Sequence, residues 1–80
     1  MKETELVTAA QMAPGQSGVV MRVEGGNRLL GRLEALGIRP GKRIRKVSSA
    51  FMRGPSVIEV DGCAIAIGFG MASRIVTKTE

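Results

Sequence analysis

The 80 residues make one domain's length, and residues 1–80 read as a single domain. The net charge is +5, the pI is near 10.4, and arginine supplies eight of the twelve basic residues. No apolar run approaches the roughly 18 residues a membrane span needs, and the lone Cys63 excludes an internal disulfide.

The first residues, Met1 to Leu6, carry Lys2, Glu3 and Glu5 with no apolar h-region after them, so no secretory signal is expected. Leu6 to Pro14 reads as a leading stretch. It ends in Pro14-Gly15, whose residue order fits a type II turn. Val19 to Val23 is the first predicted strand, with Val19, Met21 and Val23 on one face and Val20 and Arg22 on the other. Gly25-Gly26 ends it. Asn27 then has the chemistry of a helix N-cap, and Leu29, Leu33 and Leu36 follow as one apolar stripe, with Leu30 beside it. Gly31 inside this helix reads as a place where a strand could approach closely. Gly37 stands where a left-handed residue closes a helix.

Arg39-Pro40-Gly41-Lys42 repeats the turn chemistry. Ile44 to Phe51 is a second strand, and the opposite parity of Ile44 and Val47 predicts a bulge near Lys46. Gly54-Pro55 is a further turn. Asp61-Gly62 is the sharpest local signal, a two-residue type I′ hairpin between Val57 to Val60 and Cys63 to Ile67. Its register pairs Val60 with Cys63, Glu59 with Ala64 and Ile58 with Ile65. This puts Ile58, Val60, Cys63 and Ile65 on a core face and leaves Glu59 and Asp61 in water. Gly68 to Ser73 is a connector, and Arg74 to Lys78 a last strand with Ile75 inward. The order predicts a mainly β fold, a small barrel of about five strands with one helix between the first two main strands.

Chemistry is sparse. With no histidine and one cysteine, expected to be buried, a zinc-type site lacks ligands. No Ser/His/Asp set, Cys/His pair or paired carboxylates are present, and neither glycine-rich segment has phosphate-loop spacing. The expectation is a chain that is not an enzyme and holds no cofactor or metal. A basic balance points to acidic partners. Arg28, Arg32 and Arg39 form a candidate basic face, but two phenylalanines give little platform for stacked bases, so nucleic acid is not the expected partner. The candidate partner surface is Arg28, Leu30, Arg32, Leu33 and Arg39, with Phe51 and Met52 as an adaptable aromatic–thioether pair beside the Gly54-Pro55 turn.

The string Arg32-Leu33-Glu34-Ala35-Leu36-Gly37-Ile38-Arg39-Pro40-Gly41 resembles the signature of the FeoA family, small cytosolic proteins of bacterial ferrous-iron uptake. Pro14-Gly15, Gly18-Val19-Val20, Arg53-Gly54-Pro55, Ile65-Ala66-Ile67, Ala72 and Arg74-Ile75-Val76 agree with it in order. The resemblance covers roughly Leu6 to Thr77. It implies an SH3-like barrel, a cytoplasmic location reaching the inner face of the membrane only through a partner, and association with the cytosolic GTP-binding part of the FeoB iron transporter. It also implies kinship with the C-terminal domain of metal-dependent repressors. The alternatives are a basic barrel that binds nucleic acid and a free-standing relative of that repressor domain.

Overall fold

Residues 6–49 and 54–80 are described by a computed structural model. In chain order the elements are β1 (Leu6–Thr8), β2 (Ser17–Val23), α1 (Asn27–Ala35), β3 (Arg43–Ser49), β4 (Ser56–Val60), β5 (Cys63–Ile67), α2 (Phe69–Ala72) and β6 (Ile75–Thr79). The strands form one antiparallel sheet in the order β1-β6-β2-β3-β4-β5. The strand beyond the expected five is β1, which lies in the leading stretch. It is only three residues long and forms by pairing with β6, so it carries too little periodicity to be read locally.

The two Pro-Gly turns close as predicted. Gln16 N–H donates to Ala13 C=O at 2.9 Å and Lys42 N–H to Arg39 C=O at 3.0 Å, with Gly15 and Gly41 at positive φ. The β4–β5 hairpin has the predicted register throughout, and Asp61 and Gly62 sit at φ 53° and 82°, the type I′ geometry. These turns help to enclose one core of aliphatic side chains and Met12, to which α1 adds Leu33 and α2 adds Ala72. Met12, Val20, Leu33, Ile38, Ile44, Ile58, Ile67 and Ile75 are its largest apolar members.

Two bulges decide which side chains enter that core. In β2 the register against β6 slips between Val20 and Arg22, leaving Met21 as the extra residue. Val20 and Val23 therefore both turn inward while Met21 stands 45% exposed, a correction to the uninterrupted alternation expected there. In β3 the slip lies between Lys46 and Ser48, close to the predicted bulge. Its outcome differs from the expectation, because Val47 stays outside and Lys46 takes the buried position.

Four further expectations are corrected. The N-cap is Gly26, not Asn27. Asn27 is the first helical residue, its side chain makes no capping bond, and the first helical N–H to be satisfied is Leu30 to Gly26 C=O at 3.0 Å. The leucine stripe is narrower than its spacing implies: Leu33 is fully buried and Leu29 partly so, but Leu36 is 41% exposed and Leu30 37%. Among the described residues Gly31 faces open space, and no strand approaches it. Cys63, expected in the core, is exposed. It does share a face with Ile58, Val60 and Ile67. However, β5 is an edge strand, and along its length only Ile67 is buried.

Candidate functional site

Helix α1 is fixed at two points. Leu33 is its peg into the core, and its C-terminus is closed by a Schellman arrangement, with Gly37 N–H donating to Glu34 C=O and Ile38 N–H to Leu33 C=O, both at 2.9 Å. Gly37 has φ 90°, the conformation the sequence demanded of it. Ile38, three residues past the last helical residue Ala35, is buried with Leu33, so the cap is also an apolar clasp. The helix consequently sits with one narrow face held and the rest exposed.

The exposed part carries Arg28, Leu30, Arg32 and Glu34. Among the described residues neither Arg28, Arg32 nor Arg39 has an ion-pair partner, whereas Arg22 is tied to Glu24 at 3.0 Å. Between α1, the end of β2 and the following turn lies an open, largely apolar groove of about 320 Å³, lined by Val23, Leu30 and Pro40 with Arg22, Glu34 and Arg39 around them. The structure thus brings together Leu30 and Arg39 from the sequence-derived set. Arg28 and Arg32 lie on the same helix but do not line the groove. Leu33, the fifth of these residues, is 0% exposed and is withdrawn from the surface by its role as the peg. Phe51 and Met52 lie outside the described residues. Val23 and Pro40 were missed, because only the bulge at Met21 and the turn geometry place them beside Leu30.

A second cleft, about 250 Å³ and polar, lies over β3 and the hairpin at Ser17, Arg43, Arg45, Glu59 and Asp61. Its charged side chains are each held in an ion pair. Arg45 pairs with Glu59 at 2.9 Å, Arg43 with Glu80 at 2.8 Å, and Lys42 with Asp61 at 2.9 Å.

The most unusual buried group is Lys46. Its side chain is inaccessible, and its Nζ donates to the carbonyls of Ala9 at 2.7 Å, Met12 at 2.9 Å and Ala10 at 3.2 Å. Only an ammonium has three N–H donors, so this geometry holds the charged form, while burial pushes the pKa below its ordinary 10.5. The carbonyls belong to the segment after β1, which Lys46 therefore bolts to the sheet. Among the described residues no group of three His, Cys, Asp or Glu side chains could hold a metal ion, and no helix is long and apolar enough to cross a membrane. The surface offers an apolar groove bordered by the guanidinium groups of Arg22 and Arg39.

The family model described as the FeoA domain matches residues 7–78. A crystal structure of an iron uptake regulatory protein (FeoA) superposes with a TM-score of 0.90 at 33% identity, over 95% of this chain and all of that one. The solution structure of iron(II) transport protein A from Clostridium thermocellum gives 0.85 at 23% identity, over 91% of this chain and 45% of that one. A manganese-dependent transcriptional repressor gives 0.87 at 17% identity, with all of this chain matching 45% of the repressor, a likeness of fold alone. A comparison with curated proteins finds no match. The six-stranded sheet with its short helix is the SH3-like fold of these relatives, and over nearly its whole length the chain belongs to the FeoA domain family.

Proposed function

We propose that this chain is a cytoplasmic accessory module of ferrous-iron uptake that acts by protein–protein contact on the cytosolic part of the FeoB iron transporter. Membership of the FeoA family supports a role related to ferrous-iron transport. The observation that favours contact over chemistry is the groove at Val23, Leu30 and Pro40, bordered by Arg22, Glu34 and Arg39, with Arg28 and Arg32 exposed on the same helix. An apolar centre with a charged rim is the anatomy of transient protein interfaces. Residues 1–80 act as a single domain in this reading. The module carries no metal or cofactor of its own, performs no catalysis, and reaches the membrane through its partner. It changes transporter activity by binding one conformation of the partner better than another, since only a differential affinity can shift an equilibrium.

The test is co-purification with the transporter from native membranes, comparing the wild type with Leu30→Glu and with the double reversal Arg28→Glu/Arg32→Glu. All three residues are exposed, so the variants are expected to fold and to lose the transporter. Folded variants that co-purify at wild-type yield would move the contact off α1, and Phe51 and Met52 would be next. Salt-sensitive binding of duplex or single-stranded nucleic acid, with no transporter recovered, would favour the nucleic-acid reading instead.

A further inference from the structure

The sheet is open at β5. In a two-residue hairpin the residues flanking the turn exchange the first pair of ladder bonds, and hydrogen-bonded pairs then alternate with non-bonded ones. With Val60 opposite Cys63, the backbone groups of Cys63, Ile65 and Ile67 are therefore spent on β4, while those of Ala64 and Ala66 point away from the sheet. Neither alanine makes a backbone hydrogen bond outside the β4–β5 ladder, and both are exposed. Edge strands are ordinarily protected from pairing by charge, proline or a bulge. Here β5 is Cys-Ala-Ile-Ala-Ile, with no charge, no proline and no bulge in its register. The opposite edge, β1, is only three residues long.

We propose that the β5 edge is a self-association surface, on which a second copy of this chain adds its own β5 antiparallel about a two-fold axis through Ile65. Two observations select a second copy. The first is that the strand is complementary to itself. A two-fold axis at Ile65 sets Ala64 opposite Ala66 of the other copy, twice, so that all the outward-facing groups of the two alanines pair, and it sets Ile65 opposite Ile65. The second is electrostatic. A chain of net charge +5 repels its own copies, so self-association needs a surface without basic side chains, and residues 54–73 contain none. The two acids in that stretch, Glu59 and Asp61, are neutralised within the molecule by Arg45 and Lys42. The pairing closes after one addition because both β5 edges are consumed.

Sedimentation equilibrium of the full chain, from about 10 µM to about 1 mM where small interfaces dissociate, is expected to show a reversible monomer–dimer equilibrium. Ala66→Pro removes an outward N–H that β4 does not use, and Ala64→Lys puts a charge on the edge. Each is expected to weaken dimerisation by about tenfold or more while the thermal midpoint stays within about 2 °C. Register is read by oxidation. Ile65→Cys in a Cys63→Ser background is expected to give a disulfide-linked dimer, because directly opposed residues of a non-bonded pair have Cα atoms about 4.5 Å apart. In the wild type Cys63 faces Ile67 of the other copy. The two Cys63 residues are then about 13 Å apart along the strands, so no disulfide is expected there. A chain that remains monomeric throughout the range overturns the proposal. So does a dimer that persists in both edge variants, or assembly that grows past the dimer.

Discussion

A lysine side chain that is fully inaccessible costs free energy unless its ammonium finds acceptors. Lys46 finds three, all backbone carbonyls and none of them a carboxylate. Its charge is thus solvated by the chain itself, much as water would solvate it. Lys46→Met keeps most of the apolar stem but strands three carbonyls, and is expected to cost about 2–3 kcal/mol by denaturant unfolding. The loss is expected to be localised, with hydrogen exchange rising first in β1 and the segment after it, since that is what the ammonium holds. The pH dependence has a definite sign. Burial lowers the Lys46 pKa in the folded state below the 10.5 of the unfolded chain, so between those two values the unfolded chain binds more protons and stability rises with pH. The thermal midpoint of the wild type minus that of Lys46→Met is therefore expected to increase toward pH 10.5. A difference that falls over that range would mean that the carbonyl bonds outweigh burial. None of this is legible in Ile-Arg-Lys-Val, where a lysine beside an arginine reads as a solvated face. The turn of Lys46 inward follows from tertiary pairing across the bulge at Val47, not from local pattern.

Elements were legible in proportion to how locally their geometry is fixed. The hairpin was read to the residue, because Asp-Gly between two apolar runs satisfies positive φ at both turn positions without help from the rest of the fold. The end of α1 was readable for the same reason at Gly37, while its start was not, since Gly26 and Asn27 both suit an N-cap and only the backbone path chooses. The bulge at Met21 was invisible because Val-Val-Met-Arg-Val alternates acceptably in either parity. Local fixation also sets the cost of mutating the hairpin. A Cβ added at Gly62 would meet nothing within 4 Å, so Gly62→Ala loses only backbone conformational energy, expected at about 1–2 kcal/mol. Gly62→Val is expected to cost more, because a β-branched residue resists the left-handed region further. At Gly37 the added Cβ would stand 3.4 Å from Val60 Cγ1, an ordinary van der Waals contact, so Gly37→Ala is expected to carry the same backbone cost as Gly62→Ala and little more. A clearly lower midpoint for Gly37→Ala than for Gly62→Ala would show that Val60 does not accommodate the methyl group.

For the molecule as a whole, charge is distributed unevenly. The stretch 54–73 has no basic residue, while Arg22 and Arg39 border the groove at Leu30 and Arg28 and Arg32 stand exposed on the same helix. The groove itself was half legible. Leu30 and Arg39 could be named from helical spacing and turn chemistry, but Leu33 was assigned to the surface because a three-leucine stripe does not reveal which member enters the core. A basic surface that guides an acidic partner acts mainly on the rate of encounter, and that effect fades as salt screens it. Association of the purified chain with the cytosolic part of the transporter is therefore expected to slow steeply between low and physiological ionic strength, with dissociation changing little. The double reversal Arg28→Glu/Arg32→Glu lowers the net charge by four. It is expected to abolish most of that salt dependence and to leave stability within about 0.5 kcal/mol, because both residues are exposed and unpaired among the described residues. Leu30→Glu is expected to behave differently, raising the dissociation rate by removing the apolar centre of the groove. Stopped-flow kinetics separates the two. If both variants act only on dissociation, the arginines are direct contacts and not a steering field. If neither variant alters either rate, α1 is not the surface the transporter meets.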